Sequence, residues 1–120
     1  MQRFEQLDFE EIKALKNRLS GFQFEYFQAI YHEDIALFVD LGGMEANLNF
    51  FINDNEANVF HLAVFRGSLQ MVKMLMGCKS LELTKQNTQG QNACHIAAIY
   101  GQLHVLQHLL HKSELRVKHQ

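Results

Sequence analysis

Proline and tryptophan are absent from this 120-residue chain, cysteine occurs only twice, and acidic and basic side chains nearly cancel. Each scarcity has a consequence. Without proline nothing imposes a kink or a fixed φ, so helices have to be ended by glycine and by polar turns. Two cysteines, no Asn-x-Ser/Thr acceptor and an N-terminus carrying Arg3, Glu5 and Asp8 argue against a secreted, disulfide-stapled product; the expected location is cytoplasmic. Eleven basic against thirteen acidic residues leave a formal charge of −2. That balance supplies no field for phosphate backbones or anionic lipid, so neither nucleic acid nor a membrane is an expected partner. No apolar run approaches the roughly 18 residues needed to span a bilayer, and the chain reads as soluble.

What is present is a core former: 48% of residues are hydrophobic and ten are phenylalanine. A chain of this length makes one domain, burying roughly two-thirds of its unfolded surface. The glycines mark the segment boundaries, at Gly21, Gly42-Gly43, Gly67, Gly77, Gly90 and Gly101.

The dominant pattern is internal. Sliding Asn87–Leu110 back by 34 residues places Asn92-Ala93-Cys94-His95-Ile96-Ala97 on Asn58-Val59-Phe60-His61-Leu62-Ala63. One further step aligns Ala29 with Ala63 and Ala97, Ile35 with Leu69 and Leu103, Phe38 with Val72 and Leu106, and Leu41 with Leu75 and Leu109. A fixed period with four matched apolar columns indicates a stacked repeat of three units, about 19–52, 53–86 and 87–120. The first unit is degenerate, with Phe27 in place of the histidine and Glu33 in place of the glycine found at 67 and 101.

Within each full unit, Asn58 or Asn92 is positioned to cap a short helix that ends near Gly67 or Gly101. A second helix follows, with Leu69, Val72, Leu75 and Met76 on one stripe and Leu103, Leu106, Leu109 and Leu110 on its counterpart. A polar link then carries the turn Asn87-Thr88-Gln89-Gly90, with Leu81 and Leu83, echoed by Leu115 and Val117, alternating as an extended strand would. Glu56 stands where Gly90 stands one unit later, so an irregular first turn is expected. Ahead of the repeats, Phe9, Ile12, Leu15 and Leu19 share a helical face. Asp8 is the expected N-cap of that helix and Ser20-Gly21 its expected stop, and its expected role over residues 1–20 is to cover the open end of the stack.

The run Asn-Val-Phe-His-Leu-Ala-Val-Phe-Arg-Gly from Asn58 and the run Asn-Ala-Cys-His-Ile-Ala-Ala-Ile-Tyr-Gly from Asn92 resemble the ankyrin repeat, whose first helix opens Thr-Pro-Leu-His-x-Ala-Ala-x-x-Gly. The runs after each glycine, from Ser68 and from Gln102, resemble the second helix of that repeat. Asparagine replaces the threonine, Val59 and Ala93 replace the proline, and each unit is one residue longer than usual. The resemblance implies an all-α fold: an ankyrin-like α-solenoid over residues 21–120 with β-hairpin-type links. It also implies a non-catalytic protein–protein interaction module, a protein partner and no cofactor.

Three arrangements invite chemistry. His104, His108 and His111 lie at i, i+4 and i+7, a spacing at which imidazoles can chelate a metal. No glutamate follows the first of them, since Val105 is there, and the solvated outer face is the simpler reading. His61 and His95 recur once per unit, which favours a structural role. Cys94 and His95 are neighbours on a helix and project about 100° apart, so they do not form a nucleophile and base.

By the resemblance, partners are held at the link tips and by the two positions before each helix-ending glycine, on the concave face. Those positions are Tyr31 and His32, Phe65 and Arg66, Ile99 and Tyr100 along the helices. At the tips they are Asp54, Asn55 and Ala57, then Thr88, Gln89 and Gln91. Phe65 and Ile99 have the simpler alternative of packing neighbouring helices. Two other functions stay open on the sequence: an N-terminal scaffold piece of a longer array, and a metal-dependent protein using the histidine cluster. The leucines of the last helix would leave its end uncapped and open to self-association.

Overall fold

The computed structural model describes residues 9–43, 47–52, 56–78 and 81–111. Among them the chain forms seven helices: α1 (Phe9–Arg18), α2 (Gly21–Tyr31), α3 (Ile35–Asp40), α4 (Val59–Arg66), α5 (Leu69–Met76), α6 (Ala93–Ile99) and α7 (Leu103–Leu110). No helix among the described residues is long and apolar enough to cross a membrane.

Helices of six to eleven residues are too short to persist alone, so their ends and their packing have to hold them. The ends are specified by side chains. Asn58 Oδ1 accepts the His61 N–H at 3.0 Å, and Asn92 Oδ1 accepts the His95 N–H at 3.1 Å. Each histidine answers through Nδ1, which accepts the N–H of Asn58 at 3.3 Å and of Asn92 at 3.0 Å. These are reciprocal capping boxes in which histidine stands where glutamate or glutamine is usual. Asp34 and Ser68 cap α3 and α5 by accepting the N–H of Leu37 and Met71.

Ser20 departs from expectation. It starts α2 rather than stopping α1: its Oγ accepts the Gln23 N–H at 3.2 Å while Gln23 Oε1 accepts the Ser20 N–H at 3.1 Å. A serine in extended backbone with glutamine three residues on is a helix-start pattern, and Gly21 is the first helical residue behind it. The expected cap at Asp8 lies outside the described residues.

The second boundary of each unit is a left-handed residue: φ is 58° at Glu33, 78° at Gly67 and 71° at Gly101. The degenerate unit therefore keeps the turn despite losing the glycine, at the strain an L side chain suffers there. Glu56 behaves alike, with φ 62° against 76° at Gly90, so the residue expected to disturb the turn adopts the glycine's conformation.

Packing follows the ruler. The first helices stack as α2 on α4 on α6, and α5 lies against α7. Ala29, Ala63 and Ala97 are wholly buried, small side chains that let successive helices approach. Phe27, Ile30, Phe38, Phe60, Leu62, Met71, Leu75 and Leu109 fill the interior, each worth about 1.5–3 kcal/mol on burial. Leu15 of α1 and Leu19 just after its end are buried, and α1 rests on α2. The links contain no strand among the described residues. Backbone bonds draw them closed, from Ile52 N–H to Ala57 C=O at 2.8 Å in the first, and from Asn87 N–H to Gln91 C=O at 2.9 Å and Gly90 N–H to Asn87 C=O at 3.0 Å in the second. Leu81 is buried and Leu83 half-buried in irregular backbone. Leu115 and Val117 lie outside the described residues.

Candidate functional site

Because the first helices stack in register, their C-terminal ends come together. Arg66 reaches back one unit: its guanidinium carbon lies 4.9 Å from the centroid of the Tyr31 ring, and Nη2 is 3.5 Å from Glu33 Oε2. Tyr31 is itself stacked on buried Phe27 at 5.5 Å and meets the exposed His32 edge-on at 5.3 Å. One unit later, Phe65 and Tyr100 meet edge to face at 4.8 Å and 81°. The helix-end positions thus form two linked clusters, Tyr31-His32-Arg66 and Phe65-Tyr100, with Ile99 half exposed at 51%.

Glu33 belongs to this group although the motif did not point to it. Its signal was a charged residue where the repeat needs a left-handed one. Arg66 is held by an aromatic face and a carboxylate, and its Nε is buried with no hydrogen-bond partner. The pair is about one-third exposed on each side, so solvent screens it and its contribution to stability is small. Its effect is to orient the guanidinium.

At the link tips the outcome is mixed. Asp54 and Asn55 lie outside the described residues. Ala57 is wholly buried, with its carbonyl bonded to Ile52, and so has no surface to present. Thr88 and Gln89 are exposed on a turn organised by Asn87, whose Oδ1 accepts the N–H of Gln89 at 2.9 Å and of Gln91 at 3.0 Å. Gln91 is engaged in that turn, its Oε1 accepting from Asn87 Nδ2 at 2.9 Å. Asn87, buried and not singled out by the repeat motif, shapes the tip.

A second unanticipated residue is Gln102. It occupies the position of the caps Asp34 and Ser68 but makes no cap bond. Its Nε2 donates instead to Phe65 C=O at 2.7 Å, satisfying a helix-end carbonyl of the preceding unit. The amide also lies over Gly67, where an added Cβ would collide with it. The position of the Phe65-Tyr100 cluster is therefore fastened from both sides of the unit boundary.

The recurring histidines are structural. His61 Nε2 lies 2.9 Å from Lys85 C=O, and with Nδ1 accepting from Asn58 the proton must sit on Nε2. Asn58 Nδ2 adds a bond to Glu82 C=O at 3.3 Å, so the pair ties α4 to its following link. Burial, outweighing the bond to Lys85, lowers the His61 pKa to about 4, and the ring is neutral. Cys78 and Cys94 are buried thiols whose pKa burial raises, that of Cys78 to about 11. Neither is placed to act as a thiolate nucleophile at neutral pH.

The histidines of α7 do not converge on a cation. His104 is exposed, while His108 and His111 line an open groove of about 380 Å³ with Met76, Gly77 and Lys73, whose ammonium opposes a metal dication. Among the described residues no three His, Cys, Asp or Glu side chains come together to hold a metal.

Capped helix pairs, stacked at a fixed period and bounded by left-handed turns, define a helical repeat protein that offers an outer surface rather than an enclosed site. The family model of ankyrin repeats in three copies matches residues 27–119. The chain belongs to the ankyrin repeat family, whose members are generally protein–protein interaction modules. Comparison with curated proteins gives no match.

Proposed function

We propose that this protein is a non-catalytic binding module that captures a partner protein along the concave strip formed by Tyr31, His32, Arg66, Phe65, Ile99 and Tyr100. The exposed residues of the tip, Thr88 and Gln89, extend that strip. One observation carries the reading: Arg66 is already held against Tyr31 and Glu33, across the boundary between two units. A guanidinium fixed beside aromatic edges loses little side-chain entropy on binding, and Arg and Tyr are the residue types that dominate interface energies. The strip couples one cation to an apolar and aromatic surface. It suits a peptide segment or helix face with apolar side chains and an acceptor for Arg66. The units serving this strip are about 19–52, 53–86 and 87–120, α1 caps their open side, and the module works as a cytoplasmic scaffold.

The test compares capture by the wild-type chain, by Arg66→Ala with Tyr100→Ala, and by Ile99→Asp, which spares the Phe65-Tyr100 packing. Proteins retained by the wild type and by an outer-face control, Gln107→Ala, are expected to be lost from both strip variants. Thermal unfolding checks that the variants remain folded. Retention of the same proteins by folded strip variants refutes the assignment.

A further inference from the structure

The turn between α2 and α3 is closed by the same backbone bonds as the turn between α6 and α7. Glu33 N–H donates to Ile30 C=O at 3.2 Å and Asp34 N–H to Ala29 C=O at 2.8 Å; two units on, Gly101 N–H donates to Ala98 C=O at 3.3 Å and Gln102 N–H to Ala97 C=O at 2.8 Å. The left-handed φ is shared as well, 58° at Glu33 and 71° at Gly101. Glycine closes such a turn without strain, so what the strained residue adds is its carboxylate. That carboxylate is aimed at Arg66, with Oε2 3.5 Å from Nη2. The distance exceeds the roughly 2.7–2.9 Å of a charge-assisted hydrogen bond. It engages one corner of a guanidinium whose planar fork can hold both oxygens of a carboxylate, and Arg66 Nε is buried without an acceptor. The Tyr31 ring, 4.9 Å from the guanidinium carbon, supports the face of the group instead. These two contacts differ in what binding asks of them. The ring can stay in place when a partner arrives, whereas Glu33 takes a donor that the partner's acceptor needs.

We infer that Glu33 is an internal stand-in for an acidic side chain of the partner, and that capture exchanges one carboxylate for the other on Arg66. The inference rests on the strip proposed above and names the chemistry of its partner: a peptide segment with an Asp or Glu for Arg66 beside an apolar side chain for Phe65, Ile99 and Tyr100. Charge selects the carboxylate. Arg66 is the only Lys or Arg of the strip and Glu33 balances it, so a monoanion replaces Glu33 like for like. A phosphate carries nearly twice that charge, and the displaced Glu33, still tethered to its turn, repels the excess. A neutral acceptor cannot displace a carboxylate from a guanidinium and gains little. The internal contact is easily surrendered, because the side chains of Arg66 and Glu33 are 32% and 39% exposed and solvent screens them. Glu33 is therefore a competitor built into the scaffold, which only an acidic segment overcomes.

The test selects binders to the whole chain from a phage-displayed library of random peptides. Selected peptides are synthesised with amidated C-termini, so that only side chains present carboxylates, and their dissociation constants are measured by fluorescence anisotropy. Each is paired with a copy in which Asn and Gln replace Asp and Glu, and with a copy in which phosphoserine replaces them. Peptides that bind the wild type and are lost from Ile99→Asp occupy the strip. These are expected to carry an Asp or Glu, and their amide copies to bind the wild type about tenfold more weakly. Glu33→Gln keeps a side chain on the same backbone and removes only the charge. It should tighten the acidic peptides about two- to fivefold and leave the amide copies unchanged. Glu33→Gly, which also relieves the turn, should tighten them likewise and serves if the glutamine variant is less well folded. A library that yields no peptide sensitive to Ile99→Asp would refute the strip, and this inference with it. Three results would leave the strip standing and overturn the inference: strip peptides without a carboxylate, phosphoserine copies that bind the wild type more tightly than the acidic originals, or acidic peptides that neither Glu33 variant binds more tightly. Weaker binding by both variants would mean that Glu33 only orients Arg66.

Discussion

Lowering the pH from 7.5 to 5.0 should destabilise this fold mainly through a single side chain, His61. Burial holds its folded pKa at about 4, against an ordinary histidine value of 6.5. Between those values the unfolded chain takes up a proton that the folded chain refuses. Stability therefore rises with pH across this window: the His61 contribution is fully present above 6.5 and is lost as pH falls towards 4. The full loss is the pKa difference times about 1.4 kcal/mol per unit, or about 3 kcal/mol, of which about 2 kcal/mol is gone at pH 5. That is a substantial part of the roughly 5–15 kcal/mol available to a domain.

The geometry explains the refusal, because Nδ1 already faces the Asn58 N–H and a proton there would set donor against donor. Urea unfolding at pH 7.5 and 5.0 measures the loss directly. His61→Gln isolates it, since glutamine at this position keeps a capping box but does not titrate. The variant should be about 1–2 kcal/mol less stable at pH 7.5 through lost packing, yet should lose about 2 kcal/mol less on acidification. The other six histidines and the carboxylates are common to both proteins and cancel in the difference. Equal acid losses in wild type and variant would refute the reasoning.

Two further substitutions test the turns. Gly101→Ala suffers only the left-handed strain, about 1 kcal/mol, whereas Gly67→Ala also displaces the Gln102 amide from Phe65 and should cost at least about 2 kcal/mol. A double-mutant cycle with Gln102→Ala, read by chemical denaturation, should bring the two glycine substitutions close together; an unchanged gap would show that Gln102 is not the cause. Glu33→Gly relieves the strain at φ 58° and gives up only a screened ion pair, so it should raise stability by up to about 1 kcal/mol while releasing Arg66. A fall in the unfolding midpoint would mean that Glu33 contributes more through its contacts than its backbone costs.

Whatever is encoded over a few residues, or by the repeat period, can be read without the fold. The caps Asn58 and Asn92 and the glycines at 67 and 101 are legible because a cap or a left-handed turn is a local choice, made by the side chain on its own backbone, whereas the reciprocal capping bonds of His61 and His95 appear only in the structure. The 34-residue ruler also placed the buried alanine column, and it brought the helix-end residues into one neighbourhood. Ser20 is a boundary in the sequence as well, but a helix stop and the next helix start share the same two residues, and the structure shows it capping α2.

The tertiary structure decided which of those residues have a surface and which partners they take. Ala57 reads as a tip residue and is buried; Leu103 matches the half-buried Leu69 and is exposed, because exposure belongs to the neighbour and not to the residue. Gln102 to Phe65 and Arg66 to Glu33 join positions 37 and 33 residues apart. Such contacts exist only once one unit is stacked on the next, and no pattern within a single unit contains them.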